Sequence, residues 1–408
     1  MPSELAAQAI REAGVCDGLD PAVNELLATI DLIDHHVHGV VRERTDDATL
    51  RDLLIESDRR SAADAAGFDT QVWHAVRRWC APQMRVPAHI AGADYLVARR
   101  AYERLVPMGR LLLPRAGLER LIVETGFLGG RVTSPQETGE MAGCPASRVV
   151  RLEAVAEQLV GRLADPVAWP DAYRVAIAAE LAGDDPAVGF KTILAYRGGL
   201  DRDLTRPDDE AVAEAAARWA ANVQAGAIPR LDDDVLLRFG IWTAVDTGLP
   251  LQVHTGFGDP DLDLHRADPL LLTDFIRATE ERAPVLLLHT YPFHRHAGYL
   301  AQMFPHVYLD VGEAIHYTGA ASEEIVRESM ELGPCTKLLF SSDAWGAPEL
   351  HLLGSWLWRR AMSRIVGDWV VRGDWSRADA ERVIRLIGSE NARRVYRLPG
   401  QHRHAAVP

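Results

Sequence analysis

Eight short apolar runs, most of them separated by amphipathic stretches of helical period, constrain this chain more than any other feature. They are Ile30–His36, Leu121–Gly126, Val149–Ala154, Val188–Ile193, Pro250–Thr255, Val285–His289, Val307–Gly312 and Lys337–Asp343. Parallel strands covered on both faces read as continuous apolar runs, not as alternation. Between them, Asp209–Gly226, Asp268–Arg282 and Ser322–Leu332 carry the helical pattern. Strands alternating with helices imply a parallel sheet with right-handed crossovers. Eight such units close into an α/β fold of the (β/α)8 TIM-barrel type. Polar residues end most of the runs, on the side where such barrels place their active sites.

The first and second runs are about eighty residues apart, too far for a plain loop. Ala48–Ser57, Thr70–Trp79 and Ala91–Leu105 have spaced apolar residues with charges between them. Residues 45–115 are therefore expected to be a helical insertion after the first strand, acting as a lid or a homo-oligomer contact. Residues 1–28 are expected to be a leading helical segment, 29–398 the barrel, and 399–408 a flexible tail. Leu350–Val366 and Arg377–Tyr396 read as closing helices.

The net charge of −14 would repel a polyanion, so nucleic-acid and anionic-membrane partners are not expected. No apolar run reaches the length of a membrane helix, and acidic Glu4, Glu12 and Asp17 stand where a signal peptide would be basic and then apolar. Cys16, Cys80, Cys144 and Cys335 lie far apart, which argues against a disulfide framework and suits a reducing cytoplasm. Of the 44 basic residues only Lys191 and Lys337 are lysines. Where arginine serves for general positive charge, a retained lysine points to a need for an amine. For Lys337, which opens a run away from the chemistry, chance suffices.

Asp34-His35-His36-Val37-His38 ends the first run. Residues two apart on a strand share a side, so His36 and His38 can grip one metal ion through imidazole nitrogen. His254 ends the fifth run, His289 the sixth and Asp343 the eighth. Gathering so many ionisable groups at one rim is costly without a compensating cation. Lys191 ends the fourth run. It is either a carboxylated lysine, whose carbamate bridges two metals, or an ammonium that binds substrate.

These residues meet a family. His36, His38, Lys191, His254, His289 and Asp343 resemble the ligand set of the amidohydrolase superfamily. Longer strings sharpen the resemblance: Gly189-Phe190-Lys191-Thr192-Ile193-Leu194-Ala195-Tyr196-Arg197, Val253-His254-Thr255-Gly256-Phe257-Gly258-Asp259, Arg295-His296-Ala297-Gly298-Tyr299-Leu300 and Val307-Tyr308-Leu309-Asp310-Val311-Gly312-Glu313. They are similar to the amidohydrolase-like half of FluG and nodulin–glutamine synthetase fusion proteins, in the amidohydrolase 2 group. Glu390-Asn391-Ala392-Arg393-Arg394-Val395-Tyr396 resembles that group's C-terminal string. The resemblance covers roughly residues 30–398. It implies a metal-bound barrel that hydrolyses a C–N bond. With 408 residues no ligase half is expected, which leaves the substrate open.

The implied mechanism uses one or two divalent ions, zinc being the first expectation, to generate hydroxide from water at neutral pH. Asp343 is the expected acid/base and His289 the candidate to stabilise the oxyanion. For substrate binding the rim offers Arg151, Glu153, Arg197, Arg295, Glu313 and Glu124, with Tyr291, His294 and Trp345 as further pocket residues. Arginine and glutamate together suit a zwitterion, so a small-molecule γ-glutamyl amide is the leading substrate class. The alternative is a metal-dependent non-oxidative decarboxylase of an aromatic or unsaturated acid, which the same group includes and which needs no bridging carbamate.

Overall fold

The computed structural model describes residues 4–160, 162 and 166–399. All but Pro399 of the expected tail, and the start of the leading segment, lie outside them. Seven parallel strands follow one another in order: β1 (Leu32–Val37), β2 (Leu118–Glu124), β3 (Ala146–Arg151), β4 (Gly189–Thr192), β5 (Leu251–His254), β6 (Val285–Leu288) and β7 (Val307–Leu309). Each overlaps one of the apolar runs, because burial on both faces selects apolar, β-branched sequence, although β2 and β3 begin three residues before their runs, with mostly half-buried residues. The eighth run, Lys337–Asp343, is not a regular strand. It bridges β7 to β1 as an extended segment: Leu339 N donates to Leu309 O at 3.0 Å, His35 N donates to Phe340 O at 3.2 Å, and Asp343 N donates to His36 O at 3.0 Å. These bonds close the curled sheet into a TIM-barrel-like α/β fold, with helices packed outside it.

The barrel interior is a packed core. Ile33, Ile122, Val149 and Leu286 of the sheet join Val395, Tyr396 and Leu398 of the C-terminal segment in one buried cluster. That segment is less regular than a single closing helix: Arg377–Arg385 is α-helical, Leu386–Glu390 forms a π-turn, and Asn391–Val395 resumes the α-helix. Asp268–Arg282 is likewise shorter than its pattern, a 3-10 turn at Pro269–Leu272 leading into the helix Thr273–Ala278. Pro269 stands in the first turn, where its missing N–H costs nothing.

Residues 45–115 hold Asp47–Leu53, Arg60–Ala66, Gln71–Ala75, Gly92–Glu103 and Met108–Leu112 as short helices. A buried ion pair ties this stretch to the body, with Arg99 Nε 2.6 Å from Glu349 Oε1 and Tyr95 OH donating to the same oxygen at 3.0 Å. Glu349 opens the 25-residue helix Pro348–Arg372. No helix among the described residues is long and apolar enough to cross a membrane. All four cysteines are free. Lys337 does use its amine: Nζ donates to the carbonyls of Ala301 at 2.7 Å and Phe304 at 2.6 Å, at the C-terminal end of the helix His294–Met303.

Candidate metal centre and active site

The strand ends bring their imidazoles to one buried carboxylate. His36 Nε2 lies 3.1 Å and His38 Nε2 3.3 Å from Asp343 Oδ1, while His289 Nε2 lies 3.3 Å from Asp343 Oδ2. Ligand donors of His36, His289 and Asp343 all fall within 4.8 Å of one another. Donors about 2.1 Å from a tetrahedral ion stand about 3.4 Å apart, so these spacings suit ligands of one ion. The approaches are not ordinary hydrogen bonds. Asp343 Oδ1 and both ring nitrogens of His289 are buried without a hydrogen-bond partner. Buried polar atoms left unpaired at a shared point fit a cation and fit little else.

The far sides of the rings fix which nitrogen is free. Gln252 Oε1 is 2.8 Å from His36 Nδ1, which makes Nδ1–H the donor and leaves Nε2 with its lone pair toward the centre. Glu124 Oε2 lies 3.3 Å from His38 Nδ1, a charge approach without a hydrogen bond. His254 Nε2–H donates to the Phe257 carbonyl at 3.0 Å, which leaves Nδ1 with its lone pair, and its ring stands 4.8 Å from that of His289. Burial holds the His36 imidazole down at about 4 and keeps those of His254 and His289 well below the ordinary value. All three are therefore neutral near pH 7, the form that binds metals. Burial pushes the Asp343 carboxyl up, but the surrounding imidazoles, His289 foremost, outweigh it and keep the group ionised.

Backbone geometry at the two rim residues is special. His289 has φ +67° and Asp343 φ +50°, the left-handed region that side chains with a Cβ avoid. Such conformations cost about 1–3 kcal/mol and persist where the surroundings over-determine them. Here His289 N donates to Asp310 Oδ1 at 3.1 Å, and Asp34 Oδ1 accepts from Ser342 N at 2.9 Å beside Asp343. A register irregularity in β1 between Asp34 and Val37 accompanies a second departure from ideal strand geometry. His35 and His36, which a regular strand would send to opposite faces, both enter the interior network. His35 Nδ1 lies 3.1 Å from Tyr396 OH and its Nε2 lies 3.0 Å from Asp310 Oδ2, while Gln252 Nε2 donates to Tyr396 OH at 2.7 Å.

Lys191 is 3 % exposed, and its Nζ stands 3.1 Å from His36 Nε2. Burial lowers its pKa, against the pull of Asp343 and Glu124. In the sheet it is flanked in register by Arg151 on β3 and Gln252 on β5. Above this floor opens a cavity of about 640 Å³, lined by His38, Lys191, His254 and Asp343. Arg151, Arg197, Glu313 and Trp345 also line it.

Other expected binding residues lie elsewhere. Glu153 is not on β3, which ends at Arg151. It sits in the first turn of the helix Leu152–Val160, where its Oε1 accepts from Thr192 Oγ1 at 2.6 Å and Ile193 N at 3.0 Å. Arg295 is 58 % exposed on the helix after β6, paired with Glu328 and Glu331 outside the cavity. Glu124 is held by Arg151, with Nη2 to Oε2 at 2.5 Å. Burial raises its carboxyl, but the Arg151 charge prevails and takes it down to about 2. Glu124 thus supports His38 and Arg151 and does not line the cavity. Tyr291 stacks on His294, which is 2.6 Å from Glu328, and neither lines the cavity.

Three contributors escaped the sequence reading. Gln252 shares a strand face with His254, and a neutral amide inside Leu251-Gln252-Val253-His254 was the available signal. Arg131, at the end of the 3-10 turn Gly129–Arg131, and Glu56, just after the helix Asp47–Leu53, have no strand register and line the cavity too. Gln252 carries a prediction. Gln252→Leu leaves His36 Nδ1 without its partner and is expected to weaken metal binding about 10–100-fold. Chelator competition measures this, and unchanged affinity would show that His36 needs no such orientation.

Comparison with known proteins agrees with this geometry. A family model described as amidohydrolase matches residues 151–398, more than half of the chain. Protein fluG of Emericella nidulans is 28% identical over 95% of this chain and 48% of its own length, so the chain spans about half of that relative. A solved structure of a candidate metal-dependent hydrolase from Lactobacillus casei ATCC 334 is 25% identical, with TM-score 0.77, over 93% of this chain and 98% of that one. Uronate isomerase of Thermotoga maritima shares the fold at 13% identity, with TM-score 0.62, over 92% of this chain and 97% of its own. The match through β4–β7 and the Asp343 segment, with the histidines gathered on Asp343, leads to one assignment: the chain belongs to the amidohydrolase family.

Proposed function

We propose that this protein is a metal-dependent hydrolase that cleaves the amide C–N bond of a small, amino-acid-like substrate such as a γ-glutamyl amide. The observation that carries the reading is the convergence of three imidazole Nε2 atoms on Asp343 at the floor of a cavity lined by both arginines and carboxylates. A divalent ion such as zinc would be held by His36, His38, His254, His289 and Asp343, and would supply Lewis acidity that lowers the pKa of water from 15.7 toward about 7.

The remaining work falls to the chain. Asp343 Oδ1 faces His36 and His38, whereas Oδ2 lies on the His289 side, placed to take a proton from the attacking water. It returns that proton to the departing nitrogen as the C–N bond breaks. The Lys191 amine, its pKa lowered by burial, is open to carbon dioxide. Addition with loss of one proton gives a carbamate, an anion able to bridge two ions. Arg131, which has no carboxylate partner among the described residues, is suited to the substrate carboxylate.

The test is a panel of γ-glutamyl amides assayed for glutamate release, with metal content measured on the same preparations. Glutamate release with a kcat/KM in the ordinary enzyme range, above about 10⁴ M⁻¹s⁻¹ for the best amide, is expected. Lys191→Arg, which cannot form the carbamate, is expected to lose one of two ions. Full metal content in that variant removes the carbamate. Carbon dioxide release from aromatic acids, with no glutamate from any amide, would establish the decarboxylase instead.

A further inference from the structure

Glu313 follows β7 in the first turn of the helix Gly312–Thr318 and is 3 % exposed. It lines the cavity, and its Oε2 has no hydrogen-bond partner. Facing it is Glu56, which lies just beyond the insertion helix Asp47–Leu53 and lines the same cavity. Tyr317 stands beside both, with its buried hydroxyl directed to Glu56. Neither carboxyl forms a salt bridge among the described residues, while Arg151 and Arg197 are engaged by Glu124 and Glu157. Two facing carboxyl groups with no paired cation share a proton rather than both ionising. Burial, together with charge from Asp343, pushes Glu56 up to about 8, and burial with the Glu56 charge raises Glu313 well above the carboxylate range.

We propose that Glu56 and Glu313 form a subsite for a cationic amine of the substrate, so that the insertion selects for positive charge by supplying half of the site. Under the amidohydrolase reading above, on which the identity of this amine rests, it is the α-ammonium of the glutamyl group. An ammonium between the two carboxylates meets up to three hydrogen-bond demands at once, with Tyr317 Oη as a further acceptor. It also supplies the counter-charge that lets both groups ionise. Arg131 lines the same cavity and is available to the α-carboxylate.

The experiment uses the full-length, metal-loaded protein and calorimetric titration with four probes: L-glutamate, glutarate, n-butylamine and n-butanol. Glutarate lacks the ammonium of glutamate, and butanol lacks that of butylamine. The wild-type protein is expected to prefer each ammonium ligand by about 10–100-fold, the worth of a buried charge-assisted hydrogen bond. Glu56→Gln, which keeps shape and removes the charge, is expected to erase most of that preference while leaving glutarate affinity within about twofold. Thermal unfolding of the unliganded variant checks the fold. Loss of a purely structural Glu56 would lower the melting temperature, whereas an amide standing in for the protonated carboxyl of the empty subsite holds it. Amine preference unchanged in Glu56→Gln, or no amine preference in the wild type, overturns the subsite. Butylamine preference lost in Glu56→Gln with no binding of glutamate upholds the subsite and instead counts against the γ-glutamyl reading.

Discussion

Asp343→Asn is expected to lower kcat by about a hundred- to ten-thousandfold, the range for removing a positioned general acid–base. Asparagine keeps the shape and one oxygen acceptor but can neither take the water proton nor return it. In the proposed role the group handles protons in transit more than bound substrate, so KM is expected to change little. Metal content measured on the same protein separates the two roles of this carboxylate. Retained metal with lost turnover identifies proton transfer, and metal lost in step with activity reduces Asp343 to a ligand. The acid limb of the kcat profile gives a second readout. Imidazoles hold Asp343 well below the ordinary carboxylate range, so the wild-type group stays ionised as pH falls through about 4, near the ordinary carboxylate value. Activity lost above that pH belongs to another group, such as a histidine ligand being protonated off the ion.

Removing the ion is expected to have an effect at least as large. Dialysis against a chelator should take activity to background, and a divalent salt should restore it. Stability provides a readout independent of turnover. A ligand that binds only the folded chain stabilises it by about 4.1 kcal/mol at a thousand times its Kd, so the melting temperature should fall on chelation and recover on reloading. His289→Ala removes one donor from the buried group and leaves Asp343 Oδ2 unopposed. It is expected to abolish both the activity and the metal-dependent rise in melting temperature. Full activity of the chelated protein would end the metal-centre reading.

Much of the barrel and its floor was legible because position and chemistry coincide there. A strand buried on both faces must be apolar until it reaches the rim, so His36, His254, His289 and Lys191 stand out against what precedes them. The eighth run was legible as sequence but not as a ladder. Its groups are shared between β7, β1 and Asp34 in irregular order, and no local pattern encodes that sharing. Glu153 misled because β3 passes into a helix with no intervening loop, and helical geometry turns it toward Thr192. Arg295 misled in a similar way: the helix His294–Met303 carries it outward to Glu328 and Glu331. Glu56 was illegible for a different reason. Its role depends on how the insertion folds over the mouth, and no strand period links residue 56 to residue 313.

The line of contacts from His36 through Gln252 and Tyr396 to His35 has a consequence for how the protein is made. His35 and Tyr396 are separated by 361 positions, and Asp34 and Ser342 by 308, yet both pairs are in contact beneath the catalytic floor. During synthesis the histidine pair leaves the ribosome long before the residues that orient it, and it must wait, unordered, while the remaining strands are translated. Contacts closed over such spans form late and slowly. The histidine pair therefore gains the partners that orient it only after residue 396 has emerged.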